Sequence, residues 1–184
     1  MPNIVYIATS IDGYIADRNG GLAWLEMVPN PDGLDFGWAE FMADIDGIVM
    51  GRNTFETVCG FDGEWPYTKP VFVLSNSLDS LPEAYDGKAQ PISGPLPDVV
   101  KDLNSRGYET LYIDGGITVQ GFLQQDLIDE MVITVLPVLL GGGTPLFSNL
   151  EEHMAFEHVS TRILLDAMVQ TRYRRRSRAA NHSV

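Results

Sequence analysis

Short β-branched apolar runs, separated by helical segments, are the feature that most narrows the fold of this sequence. Residues 4–8, 48–50, 71–74, 111–113 and 131–140 are bounded by Gly, Pro, Asp or Ser and have the character of strands buried in a mostly parallel sheet. Between them, residues 38–44, 54–58, 96–106 and 117–125 read as helices. In the last of these Val119, Phe122 and Leu123 fall at i, i+3 and i+4, one apolar stripe able to lie on a sheet. From residue 154 the pattern changes: 156–164 and 168–174 are joined by Leu165-Asp166-Ala167 with no helix between them, which predicts an antiparallel hairpin finishing the sheet. The expected class is α/β. Loops at 12–30 and 76–95 are long enough to be functional or mobile.

A chain of 184 residues, 45% hydrophobic, can bury one full core, so one domain is expected over 1–176 with 177–184 as a flexible tail. No apolar run approaches the roughly 18 residues that cross a bilayer, and the N-terminus lacks a basic signal start, so the expected location is cytoplasmic, with no membrane partner. The single cysteine, Cys59, excludes an internal disulfide framework and a Cys-rich zinc site. It has no nearby histidine and reads as packing. His153, His158 and His182 have no carboxylate spacing that suggests a metal site. Net charge is -13, and five of the twelve basic residues are Arg172, Arg174, Arg175, Arg176 and Arg178. The body before them carries 7 basic against 25 acidic residues, or -18, and repels nucleic acid. The arginines themselves read as a solvated last strand and frayed end.

In an open α/β sheet ligands bind beyond the carboxyl ends of the strands, where helix N-termini present free N–H groups and a partial positive charge. The second strand runs into Gly51-Arg52-Asn53-Thr54. The glycine lets backbone approach a ligand, the arginine offers a bidentate cation, and the hydroxyl and N–H groups suit phosphate. The third ends Leu74-Ser75-Asn76, and the fourth ends Asp114-Gly115-Gly116-Ile117-Thr118, a glycine pair opening a helix, as a pyrophosphate requires. Three such ends in succession predict a phosphate-bearing cofactor. Neither Gly-x-Gly-x-x-Gly nor Gly-x-x-x-x-Gly-Lys-Ser/Thr is present, so these glycines belong to neither the usual dinucleotide fingerprint nor a P-loop.

The segments 8–16 (ATSIDGYIA), 50–55 (MGRNTF), 73–75 (VLS), 114–116 (DGG) and 139–147 (LLGGGTPLF) resemble, in order, the dihydrofolate reductase-like superfamily. Within it the sequence is most similar to stand-alone relatives of the reductase domain of riboflavin-pathway deaminase/reductases. The resemblance implies a three-layer α/β/α sandwich around a mixed, mostly parallel sheet, and NADPH across the strand ends. It implies that Gly51, Arg52, Asn53 and Thr54 hold phosphates, and that Ser75 and Asn76 hold the adenosine ribose and its 2′-phosphate. It further implies that Gly115, Gly116, Ile117, Thr118 and Val119 hold the pyrophosphate and that Ala8 and Ile15 flank the nicotinamide. The loop 12–24 would close over the reaction centre. Relatives of this kind are often homodimers.

On the substrate side, Asp35 in GLDFGW falls where dihydrofolate reductases carry their acidic residue. As a buried carboxyl with a raised pKa it would deliver the proton; as the residue ahead of the 38–44 helix it would be an N-cap. Segment 25–33 departs from the folate pattern, although Trp24 is placed to replace the loop tryptophan. Arg18 and Lys69 are the candidate cations for a phosphorylated substrate, Asp12-Gly13 reads as a turn, and 141–144 reads as a close-packed turn without a basic partner. Phe36, Trp38, Phe41 and Phe55 read chiefly as core aromatics. The expected activity is NADPH-dependent hydride transfer to a C=N or C=O carbon of a small heterocyclic or sugar-derived substrate. Dihydrofolate reduction and a non-catalytic NADP(H)-binding module are the alternatives.

Overall fold

The computed structural model describes residues 1–78 and 80–176. The expected tail, 177–184, lies outside them. In chain order the elements are β1 (Asn3–Ser10), β2 (Tyr14–Ala16), α1 (Trp38–Ala43), β3 (Gly47–Gly51), α2 (Arg52–Cys59), β4 (Val71–Leu74), β5 (Ala89–Ile92) and α3 (Leu96–Ser105). There follow β6 (Leu111–Asp114), α4 (Gly116–Gln124), β7 (Glu130–Leu136), β8 (Thr144–Pro145), β9 (Phe156–Leu164) and β10 (Met168–Arg175).

Eight strands form one sheet in the order β5-β4-β3-β6-β1-β7-β10-β9. From β5 to β7 every pairing is parallel, while β10 runs antiparallel to both β7 and β9. The hairpin turn places Leu165 and Asp166 at positive φ, and the Ala167 N–H closes it on the Leu164 carbonyl at 3.1 Å. The decisive step in the topology is β6. The chain leaves β1, builds β3, β4 and β5 outward, and returns to insert β6 between β1 and β3. The helices after β3 and β6 therefore start side by side.

Side chains alternate across this sheet with the period of two that a strand imposes. Ile48, Met50, Val71, Val73 and Tyr112 pack on one face with Met42, Ile45 and Phe55, the layer of α1 and α2. Val49, Phe72, Leu111 and Ile113 pack on the other with Val99, Leu103, Val119 and Phe122, the layer of α3 and α4. The result is an α/β fold of three layers. The apolar stripe at Val119, Phe122 and Leu123 is buried against the sheet, as its spacing predicts.

Three expectations need correction. The long loop at 76–95 contains β5, whose sequence Ala-Gln-Pro-Ile is too polar and Pro-broken to announce a strand; it is an edge strand, the place where proline is tolerated. The loop at 12–30 contains β2 and a 3-10 turn, Ala23–Met27. The strand expected over 131–140 stops at Leu136, next to Pro137. Among the described residues no helix is long and apolar enough to cross a membrane.

Phe122 is fully buried between α4 and the sheet. Phe122→Ala should cost about 3–5 kcal/mol through lost burial and the cavity left behind. Urea unfolding monitored by circular dichroism would measure it as a lowered midpoint at unchanged slope.

Candidate active site

Because β3 and β6 are neighbours, the N-termini of α2 and α4 emerge together beyond the carboxyl edge of the sheet. Their closeness depends on glycine. A Cβ at Gly51 would lie 2.8 Å from Thr118 Oγ1, and one at Gly115, which has φ +88°, would collide with Thr54 Oγ1. A Cβ at Gly116 would press on Ile15 Cδ1 at 3.0 Å and on the Pro145 carbonyl at 3.2 Å. No side chain caps either helix, so first-turn N–H groups face the opening without an intrahelical partner, the arrangement that attracts anions.

These N-termini open into a cleft of about 780 Å³, within the size range of small-molecule sites. Its lining includes Ala8, Ile15, Gly51, Arg52, Asn53, Thr54, Gly115, Gly116, Ile117 and Thr118, which the sequence scatters over four segments. Arg52 is half-exposed and donates from Nε to Glu56 Oε1 at 2.6 Å, one turn on. Such a surface pair is weak enough for an incoming phosphate to displace. Ile117 is 73% exposed at the cleft mouth, an apolar side chain with no protein partner to cover it.

Not every expected residue reaches the cleft. Val119 is fully buried in the core and donates its N–H to the Gly115 carbonyl at 2.9 Å, so it has nothing to offer a pyrophosphate. Ser75 and Asn76 follow the strand end but do not line the cavity; Leu74 does. The Ser75 hydroxyl is turned instead to Ser77, at 3.3 Å from its Oγ and 3.2 Å from its N–H.

Asp35 is likewise placed differently from the buried, raised-pKa alternative. It is exposed and accepts the N–H groups of Gly37 at 2.9 Å and Ala39 at 3.0 Å, tying the chain at the start of α1. Those backbone donors, first Gly37 and then Ala39, with Arg162 nearby, hold its carboxyl below the usual range. An acid held in its charged form has no proton to deliver near neutral pH.

The structure offers another carboxyl. Asp114, the last residue of β6, lines the cleft floor with Tyr6, Tyr67 and Tyr112. It accepts the Gly115 N–H at 2.8 Å; desolvation by burial raises its pKa, outweighing that bond and the lowering influence of the neighbouring Tyr112 and Tyr67. Burial, then the charge of Asp114, also pushes the Tyr67 and Tyr112 phenols up. The Tyr112 hydroxyl donates to the Tyr6 carbonyl at 3.1 Å. The sequence placed Asp114 at a strand end without a role, and Tyr67, on an irregular loop, carried no signal.

The first loop is stapled over this site. Asp12 accepts the Ser10 hydroxyl at 2.6 Å and the N–H groups of Gly141 at 2.8 Å and Leu140 at 3.1 Å. Arg18 donates to the Gly141 carbonyl at 2.5 Å, so the 141–144 turn does have a basic partner. β2 pairs with β8, and the Leu146 N–H donates to the Gly13 carbonyl at 2.9 Å. Beyond the staple, Leu22 and Leu25 lean into the cleft.

This arrangement defines a dihydrofolate reductase-like fold with a cofactor-sized cleft at its topological switch point. The chain belongs to the RibD C-terminal domain family, which matches residues 4–165. A candidate riboflavin biosynthesis protein of Shewanella sp. PV-4 is 53% identical over 96% of this chain and all of that one, with a TM-score of 0.95. The fold is shared at TM-score 0.72 and 17% identity with a deaminase/5-amino-6-(5-phosphoribosylamino)uracil reductase of Thermotoga maritima, across 95% of this chain and 57% of that one. It is shared at TM-score 0.64 and 16% identity with dihydrofolate reductase of Enterococcus faecalis in complex with NADP(H), across 96% and 97% of the two chains.

The Ser10 hydroxyl, followed by the Gly141 and Leu140 amides, lowers the Asp12 pKa. Its clamp is therefore complete above the ordinary aspartate range and is lost as pH falls through the depressed value. Asp12→Asn should loosen residues 11–24 at neutral pH, visible as faster amide exchange confined to that segment and to 138–146.

Proposed function

We propose that this protein is an NADPH-dependent reductase of the riboflavin-biosynthesis type, acting on a C=N or C=O group of a small substrate. The observation that carries this reading is the convergence of two uncapped helix N-termini and Arg52 on one cleft that also holds a carboxyl of raised pKa, Asp114. The glycine junction suits the phosphates of a dinucleotide: Gly51 and Gly115 let the two helix N-termini approach each other closely, so that their free N–H groups converge on one cleft. Arg52, Asn53 and Thr54 hold phosphate at the start of α2, and Gly116, Ile117 and Thr118 hold the pyrophosphate at the start of α4. Ser75 and Asn76, which do not line the cleft, take the ribose end once the Ser75–Ser77 contact opens. Ala8 and Ile15 flank the nicotinamide.

NADPH supplies the hydride; the chain supplies position, dryness and a proton. Hydride to carbon and a proton to the adjoining nitrogen or oxygen turn C=N into CH–NH, or C=O into CH–OH, and leave NADP⁺. Asp114 is the proton donor of this reading. Its carboxyl is half-buried beside phenols, whereas that of Asp35 is exposed and held ionised by backbone N–H groups. Leu22 and Leu25 of the stapled loop keep water off the reacting atoms. Asp35 sets the start of α1 rather than moving a proton.

The first test is binding. Added NADPH should change its fluorescence and raise the melting temperature more than NADH does, and Arg52→Ala should weaken NADPH about tenfold, the loss of one ~1.4 kcal/mol contact. No response at millimolar cofactor refutes the reading. Turnover supplies the second test. The active form carries the proton on Asp114, so the rate should fall as pH rises through the raised pKa. Asp114→Asn should lower kcat and flatten that limb while NADPH still binds. If Asp35→Asn flattens it instead, the assignment moves back to Asp35.

A further inference from the structure

The cleft has two chemically opposite ends. At the first, α2 and α4 begin and Arg52 projects. At the second, about 10 Å further along α2, the walls are Val58, Phe61, Tyr67 and Tyr112, with Leu25; Asp114, which ends β6 directly before Gly115, stands between the two ends. Among the described residues that line the cleft, Arg52 is the only basic one, and it stands at the first end.

Of three cations on neighbouring segments, two are engaged elsewhere. Arg162 donates to the Phe36 carbonyl and, from Nε, to Gln170 Oε1 at 2.6 Å. Arg18 is bound to the Gly141 carbonyl. Lys69, two residues beyond Tyr67, does not line the cleft. The polar groups that do face the second end are a carboxyl and phenols. A phosphate dianion placed there would lose its hydration and gain no cation, beside an acid, within a chain of net charge -13. The same end suits a flat, uncharged ring. Phe61 is 52% exposed and Leu25 38% exposed, so two apolar side chains stand open toward the space, and the carboxyl and phenols can read ring N–H and carbonyl groups.

We infer that the second substrate of this protein is an unphosphorylated planar nitrogen heterocycle, held by its N–H and carbonyl edge against Asp114, Tyr67 and Tyr112. The inference rests on the reductase reading above and adds to it the substrate class. It separates this chain from the Thermotoga maritima enzyme, whose named substrate carries a phosphate. Arg52 and the helix N-termini serve the cofactor phosphates, and no second clamp is built among the described residues.

The test uses the full chain saturated with NADP⁺, after NADPH binding has been established, so that failure of the cofactor reading is seen first and separately. The probes are matched pairs: 5-amino-6-(5-phosphoribosylamino)uracil and its phosphatase product, a pterin ribonucleoside and its 5′-phosphate, and the bare pyrimidine and pterin rings. Melting shifts and calorimetric titration should show at least one unphosphorylated member binding about tenfold or more tighter than its phosphorylated twin, with the gain lost in Asp114→Asn. Phe61→Arg places a cation at the second end from an exposed position and should reverse the preference. A phosphorylated probe binding as well as or better than its twin overturns the inference. So does the failure of every unphosphorylated probe at millimolar concentration.

Discussion

The contact on which the rest of this structure depends is the close approach of the α2 and α4 N-termini across the β3–β6 seam. Thr54 meets the backbone of Gly115, and Thr118 meets that of Gly51, with no space for a side chain at either glycine. α2 follows β3 directly and α4 follows β6 after the single residue Gly115, so the direction of both is set by the strands beneath. Parallel pairing brings Met50 level with Asp114, and the partial positive ends of the two helix dipoles then add at one place. That field is local. In a chain of net charge -13 it makes a small region that welcomes anions within a body that repels them.

Two polar devices complete the cleft. Asp12 holds the loop after β1 to the glycine turn after β7, joining segments more than 120 residues apart in sequence. Asp114 holds the floor, where burial and not a neighbouring charge sets its protonation. Both are aspartates next to glycine, and their environments drive them to opposite states. One collects N–H and O–H donors and stays ionised; the other is walled in by Tyr67 and Tyr112 and has its proton stabilised. The direction of each pKa is set by surroundings rather than by residue type.

The strands most legible in the sequence are those buried on both faces, because β-branched runs such as Ile48-Val49-Met50 and Val71-Phe72-Val73 leave little alternative to a parallel sheet. The C-terminal hairpin was legible for a different reason: two long polar-apolar runs share a three-residue joint too short for a helix. β5 was not, since an edge strand needs only one good neighbour and tolerates Gln and Pro. Of the cleft, the residues at strand-to-helix junctions could be read, because glycine followed by a helix start has a local physical meaning. Tyr6, Tyr67 and Tyr112 could not, because a tyrosine in a strand or loop reads the same whether it faces core or cavity.

The sequence by itself therefore determined the main buried strands with the helices between them, the glycines at the strand-to-helix junctions, and Arg52 beside them. These are local properties, set by backbone freedom, side-chain branching and charge within a few residues. Only the tertiary structure decided which carboxyl has its pKa raised and which has it lowered, and that Ser75 turns to Ser77. Those outcomes depend on desolvation and on hydrogen bonds from distant segments, and both exist only after the sheet has brought β6 between β1 and β3.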